Sequence, residues 1–158
     1  VKRWATFDPD RRFRYVLGRE WIPEKPACAM VGLNPSIADD QADDPTIRRA
    51  IAFCDRWGYG RLLVVNLFAL VSTDPKRLVQ VPDPVGPEND RFLLGAADEA
   101  SLVVAVWGAG GELYGRAQAV TELLAKHPLK CLGRTKEGHP RHPLYLRGDT
   151  ALEDWRRA

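Results

Sequence analysis

Short unbroken apolar runs alternate along this chain with stretches of helical period, and that alternation limits the fold more than any other feature. Cys28-Ala29-Met30-Val31-Gly32-Leu33, Leu62-Leu63-Val64-Val65 and Leu102-Val103-Val104-Ala105-Val106-Trp107 are short and lack the every-second-residue polarity of half-exposed strands. Runs of that kind suit strands covered on both faces, as in a parallel sheet between helices. Asp44-Pro45 opens a helix, a capping residue followed by proline at the first helical position. Ile47, Ala50, Ile51, Cys54 and Trp57 then fall on one side of it, with Arg48, Arg49, Asp55 and Arg56 mostly on the other, until Gly58 and Gly60 end it.

The same reading predicts a strand over residues 61–68, a turn of helix at Pro75–Val79 and a helix from near Pro87 to Ala100. A strand over 101–107, a helix over 112–126 and a short strand over 129–132 follow. Nearer the start, residues 12–17 read as a short strand, with Phe13, Tyr15 and Leu17 alternating against Arg12, Arg14 and Val16. Residues 37–44 carry four aspartates and read as a surface loop. Together these predict a three-layer α/β/α fold around a central, mainly four-stranded parallel sheet, with right-handed crossovers and helices on both faces. The length of 158 residues suits a single α/β domain spanning 1–158, and no internal repeat is present.

Composition narrows the function. A net charge of +2 excludes a whole-protein polycation. The last quarter is more basic: Lys126, Lys130, Arg134, Lys136, Arg141, Arg147, Arg156 and Arg157 face Glu137, Asp149, Glu153 and Asp154. That balance meets phosphates or forms a solvated charged face. Cys28, Cys54 and Cys131 are scattered among apolar residues and read as buried free thiols of a reducing cytoplasm. No signal peptide and no bilayer-spanning run is evident, so a cytoplasmic protein without membrane contact is expected. No metal and no cofactor is expected. No cysteine pair has metal-ligand spacing, His139 and His142 lack a third ligand, and the aspartates lack the glycine and terminal glutamate of a calcium loop. Trp107-Gly108-Ala109-Gly110-Gly111 lacks the lysine of a phosphate loop and reads as a strand-to-helix turn approaching a ligand.

The candidate chemistry sits just beyond the apolar runs, where open α/β sheets bind ligands. Gly32-Leu33-Asn34-Pro35-Ser36 presents Asn34 on a proline-stiffened turn. Its amide either positions a water or ligand, without being able to take a proton, or bonds its own turn. Asn66 follows four apolar residues and offers one acceptor and two donors, matching a nucleobase edge, or else is satisfied by neighbouring backbone. His142 lies among prolines and would hold developing negative charge through a hydrogen bond, unless it belongs to a plain surface loop.

In that order, these segments resemble the uracil-DNA glycosylase superfamily and its mismatch-specific thymine/uracil branch. The resemblance implies a glycosylase-like fold, with Asn34 in the motif that positions the attacking water. Gly32, Pro35, Ser36, Asn66 and Phe68 would line the base pocket, Asn66 reading the extruded base. Trp107-Gly108 echoes a strand ending of that superfamily, and His142-Pro143-Leu144 resembles the last motif, whose histidine steadies the leaving base while a leucine wedges into the duplex. Leu144 and Tyr145, with Arg134, Lys136 and Arg141 on phosphates, would then face DNA. Asn34 stands where the uracil-specific branch has aspartate, implying weak water activation. Ser36 replaces a tyrosine that excludes thymine, implying room at the base's C5. Trp57, Tyr59 and Phe68 are candidates for the stacking aromatic.

The whole chain is also similar to the bacterial domain-of-unknown-function family 1643. The matching stretches include Arg14-Tyr15-Val16-Leu17, Asp44-Pro45-Thr46-Ile47-Arg48-Arg49, Arg56-Trp57-Gly58-Tyr59-Gly60, Val65-Asn66-Leu67-Phe68-Ala69 and Gly86-Pro87-Glu88-Asn89-Asp90. That resemblance implies no activity. The expected function is hydrolysis of the N-glycosidic bond of a damaged, mismatched or modified base flipped from DNA. A non-catalytic nucleotide or nucleic-acid binder, or a hydrolase of small nucleosides, would use the same pocket.

Overall fold

The computed structural model describes residues 1–155; Arg156 and Arg157 of the basic last quarter lie outside them. The described residues contain seven strands: β1 (Lys2–Phe7), β2 (Arg14–Glu20), β3 (Ala27–Gly32), β4 (Arg61–Asn66), β5 (Leu102–Ala105), β6 (Leu129–Cys131) and β7 (Glu153–Asp154). They form one mixed sheet in the order β1-β2-β4-β3-β5-β6-β7. β4, β3, β5 and β6 run parallel to one another and make the expected four-stranded core. Antiparallel β1 and β2 extend it at one side, and β7 pairs antiparallel with β6 at the other. No apolar run announced β1 or β7, which are partly exposed or wholly polar.

Successive side chains of the parallel strands point to opposite faces, so each strand feeds two cores. Cys28, Met30, Leu62, Val64 and Val104 pack with Ile47, Ala50, Phe53 and Cys54 of α1 (Pro45–Arg56). Ala29, Val31, Leu63, Val65, Val103 and Ala105 pack with Leu93, Ala96 and Ala97 of α2 (Asn89–Glu99) and with Val120 of α3 (Arg116–Leu123). Helices therefore cover both faces of the sheet. The three cysteines are buried free thiols. No helix among the described residues is long and apolar enough to cross a membrane.

α1 begins as its sequence predicts: the Asp44 side chain accepts the Ile47 amide at 2.8 Å and Pro45 occupies the first turn. The helix expected over 112–126 is a correction. A 3-10 segment at Ala109–Gly115 precedes a shorter α3, and the break falls at Leu113, with extended ψ, and Tyr114, at φ 56°. The glycines around this break lower the penalty for leaving the helical region.

β2 holds the larger surprise. Thr6 pairs with Val16 while Phe7 pairs with Arg14, so Tyr15 is an extra residue that bulges the strand. Tyr15 and Val16 thus join the α2–α3 core, while Leu17 joins the α1 core. The regular alternation expected over 12–17 fails at this bulge. Arg14 and Arg19 end up 2% and 0% exposed. Residues 37–44, expected as a surface loop, fold over both arginines and bury Ala38 and Asp44.

Candidate functional site

In chain order the parallel strands lie second, first, third, fourth across the sheet. The chain leaves β3 for β4 on one side, then returns past β3 to β5 on the other. That reversal opens a crevice at the carboxyl ends of β3 and β5, where doubly wound sheets take their ligands. A cavity of about 270 Å³ lies there, on the α1 face, with Met30, Val64, Val106, Ile47 and Ala50 as its apolar wall. Gly32 to Ser36, Asn66 and His142 all line it, as do Arg14, Asp44 and Trp107. Asn34, Asn66 and His142, remote in sequence, share one crevice.

Asn66 is placed by its backbone. It pairs with Gly32 across β3 and β4, and its carbonyl accepts the Asn89 side-chain amide at 2.9 Å. Asn89, fully buried at the start of α2, also bonds the Leu67 carbonyl at 3.2 Å, and Arg116 Nε reaches the same carbonyl at 2.8 Å. With its main chain held from behind, the Asn66 carboxamide is free for the crevice. A Cβ on Gly32 would come 2.8 Å from Asn66 Oδ1, so only glycine leaves that carboxamide its place. Asn66 is 3% exposed and its Nδ2 is buried without a hydrogen-bond partner. An unmet buried donor costs about 1–3 kcal/mol, so a ligand that accepts from it recovers that energy on binding.

Asn34 differs. Its Nδ2 donates to the carbonyls of Pro35 (3.1 Å), Leu70 (3.3 Å) and Ser72 (3.0 Å), tying the turn after β3 to the segment after β4. Only its Oδ1 remains for a ligand or a water. Pro35 supports the same tie through its carbonyl, which accepts the Ser72 amide at 2.9 Å. Ser36 is half-buried and lines the crevice beside them.

His142 stands at the rim. Its Nδ1 accepts the Leu144 amide at 3.2 Å, which leaves the proton of the neutral ring on Nε2. Burial of the ring lowers its pKa below the usual histidine value, against an opposing pull from Asp44. At neutral pH it is therefore an uncharged hydrogen-bond donor.

Arg14 was missed. Its Nη1 donates to the Ala38 carbonyl at 2.8 Å, while its Nε is buried and unpartnered. No carboxylate of the described residues forms an ion pair with it. Burial lowers its pKa to about 10, partly offset by Asp44 and Asp39, so it remains a cation at physiological pH. Asp44 is the carboxylate lining the crevice, and one of its oxygens caps α1. Alternation places Arg14 opposite Phe13 and Tyr15, and what buries it there is the loop over residues 37–44, through the Ala38 carbonyl.

Trp107 borders the crevice, but its ring is buried in the α2–α3 core, edge-on to Trp155 at 5.5 Å. The three aromatics proposed from sequence lie elsewhere. Trp57 stacks on Phe53, Tyr59 packs against the α1-side core, and Phe68 is fully buried in the α2–α3 core.

The residues expected to face nucleic acid differ in how far the protein itself engages them. Arg134 bonds the carbonyls of Asp154 and Trp155 and lies 4.4 Å over the Trp155 ring. Lys136 and Arg141 are exposed. Leu144 is half-buried, whereas Tyr145, at φ 71°, is 94% exposed and forms the tip of the loop beyond His142. His139 turns away from the crevice toward Glu112, at 3.9 Å.

No curated protein and no solved structure matches this chain. A family model does, described as a protein of unknown function (DUF1643), over residues 14–144. That span begins at the buried Arg14 and takes in Asn34, Asp44, Asn66, Trp107 and His142, so every polar group of the crevice lies within it. The chain belongs to the DUF1643 family.

Proposed function

We propose that this protein is a uracil-DNA glycosylase-like hydrolase that cleaves the N-glycosidic bond of a damaged, mismatched or modified base swung out of DNA into the crevice. The observation that carries this reading is the Asn66 carboxamide, buried at a strand end with an unmet donor and a glycine clearing its place. A flat heterocycle with a carbonyl on its edge satisfies that donor, and Met30, Val64 and Val106 offer it an apolar wall. Cleavage passes through an oxocarbenium-like state while the base leaves with negative charge. In this reading neutral His142 donates from Nε2 to the leaving base, and Asn34 Oδ1 holds the water. The carboxamide of Asn34 is a poor base, which suits a substrate whose damaged base is already a good leaving group. Extrusion costs a few kcal/mol and is easiest for mismatched or damaged bases.

The test is a panel of duplexes carrying uracil, hypoxanthine, thymine mismatches and alkylated or hypermodified bases, at enzyme excess. Abasic product from at least one, abolished in Asn66→Ala and His142→Ala, is the expected result. No abasic product from any of them overturns the catalytic reading.

A second reading, a non-catalytic binder of nucleotides or nucleic acid, draws on the Asn34 amide being tied to three carbonyls. It predicts that Asn66→Ala loses affinity and that no bond is cleaved.

A further inference from the structure

Four buried side-chain polar atoms among the described residues lack a hydrogen-bond partner, and two of them, Arg14 Nε and Asn66 Nδ2, belong to residues lining this one crevice. Both are donors, and one belongs to a cation. Buried donors left open in a native fold call for an explanation, and a shared cavity supplies one: the ligand brings the acceptors.

The charge matters more than the count. A guanidinium 2% exposed, held by one backbone carbonyl and no ion pair, is an expensive arrangement for a structural residue. The protein shows elsewhere how it satisfies a structural arginine. Arg19, on the same strand and under the same loop, has Asp43 at 2.7 Å and the carbonyls of Gly18, Asp39 and Ala42. The charges near Arg14 do not close that gap. Asp39 turns its Oδ1 to the amides of Gln41 and Ala42, and its Oδ2 lies 3.9 Å from Arg11. Asp44 turns Oδ1 to the Ile47 amide, and His142 is neutral.

We infer that Arg14 is the anion-receiving group of the crevice, and that the ligand carries a phosphate lodged against its guanidinium beside a flat carbonyl-bearing ring on Asn66. A planar guanidinium with open N–H groups matches phosphate oxygens, and each such charge-assisted bond is stronger than a neutral one. The ring half of this inference rests on the nucleobase reading; the phosphate half does not. The phosphate comes from a free mononucleotide or from the chain of a polynucleotide, and the two are separable.

Calorimetric titration at matched ionic strength tests this with uridine, uridine 5′-monophosphate, inorganic phosphate and a single-stranded oligonucleotide containing uridine. Wild type is expected to bind the monophosphate or the oligonucleotide about tenfold to hundredfold more tightly than uridine, the size of a charge-assisted hydrogen bond. Arg14→Met should erase that preference, and Arg14→Lys should keep part of it, with circular dichroism confirming that both variants fold. A preference for the monophosphate points to a small nucleotide; one for the oligonucleotide points to a polynucleotide. Equal affinity for uridine and its monophosphate, the same preference in Arg14→Met, or no binding of any phosphate-bearing probe overturns the inference. Phosphate binding that depends on Arg14 but is indifferent to the base leaves the anion site standing and removes the nucleobase reading.

Discussion

Arg14 and Arg19 sit on one strand, are shut from solvent by one loop, and are finished differently. Arg19 is ringed by acceptors: Asp43 at 2.7 Å, Gly18 carbonyl at 2.8 Å and Asp39 carbonyl at 2.5 Å. Arg14 reaches one carbonyl, at 2.8 Å, and leaves its Nε open toward no protein group. A buried charge that is fully paired organises the chain around it, here residues 39–43. One left open while lining a cavity is arranged for something that comes from outside. The same division separates the two strand-end asparagines: Asn34 is tied to three carbonyls, whereas the Asn66 amide is tied to none.

The sharpest way to break this contrast is to remove each arginine in turn. Arg19→Met should lower unfolding stability by about 3 kcal/mol, because Asp43 and several carbonyls lose their buried partner. Chemical denaturation measures it, and a loss under 1 kcal/mol would mean that Arg19 is not the clamp described. Gly32→Ala should come next, at about 1–3 kcal/mol for crowding, because its Cβ meets Asn66 Oδ1 at 2.8 Å. Ligand affinity should fall with it, since the displaced carboxamide no longer faces the crevice. Asp44→Ala should cost about 1 kcal/mol through loss of the cap on α1, and Asp44→Asn should restore that stability.

Arg14→Met is predicted to change stability by less than about 1 kcal/mol in the ligand-free protein, since an unpaired buried charge is replaced by an apolar chain of similar length. A loss as large as that of Arg19→Met would erase the distinction between the two. The smallest effect concerns His142. Its folded pKa lies below its ordinary value of 6.5, so the unfolded chain takes up a proton more readily. Stability is then free of this penalty above about pH 6.5 and declines as pH falls through the folded value. His142→Gln should flatten that decline, which thermal melts across pH 5 to 8 would show.

The sheet was legible wherever burial on both faces made the strands plainly apolar. β3, β4 and β5 appear as runs without interruption, and the start of α1 is written in Asp44-Pro45. The edges were not, because a strand such as Lys2–Phe7 is half in solvent and a strand such as Glu153–Asp154 buries nothing. Of the crevice, the residues that follow apolar runs could be read directly: Asn34, Asn66 and the turn from Gly32. Arg14 could not, since alternation groups it with the exposed Arg12 on a face that is closed over it only by residues 37–44 on folding. Trp107 was visible as a strand end, but the side its ring takes was not, because the ring turns into the α2–α3 core where a Cβ on Gly111 would come 2.3 Å from Trp107 Cδ1. The aspartates of residues 37–44 read as solvated charge because their partners, Arg19 and the α1 amides, are brought to them only by folding.

Two donors left open by the fold, Arg14 Nε and Asn66 Nδ2, are expected to meet one ligand. Their ¹⁵N–¹H signals can be followed directly while uridine 5′-monophosphate is added to labelled protein. Both are expected to shift together and saturate at one ligand concentration, while the Arg19 Nε and Asn89 Nδ2 signals stay in place. Signals from Arg14 and Asn66 that remain still while others move would contradict that expectation.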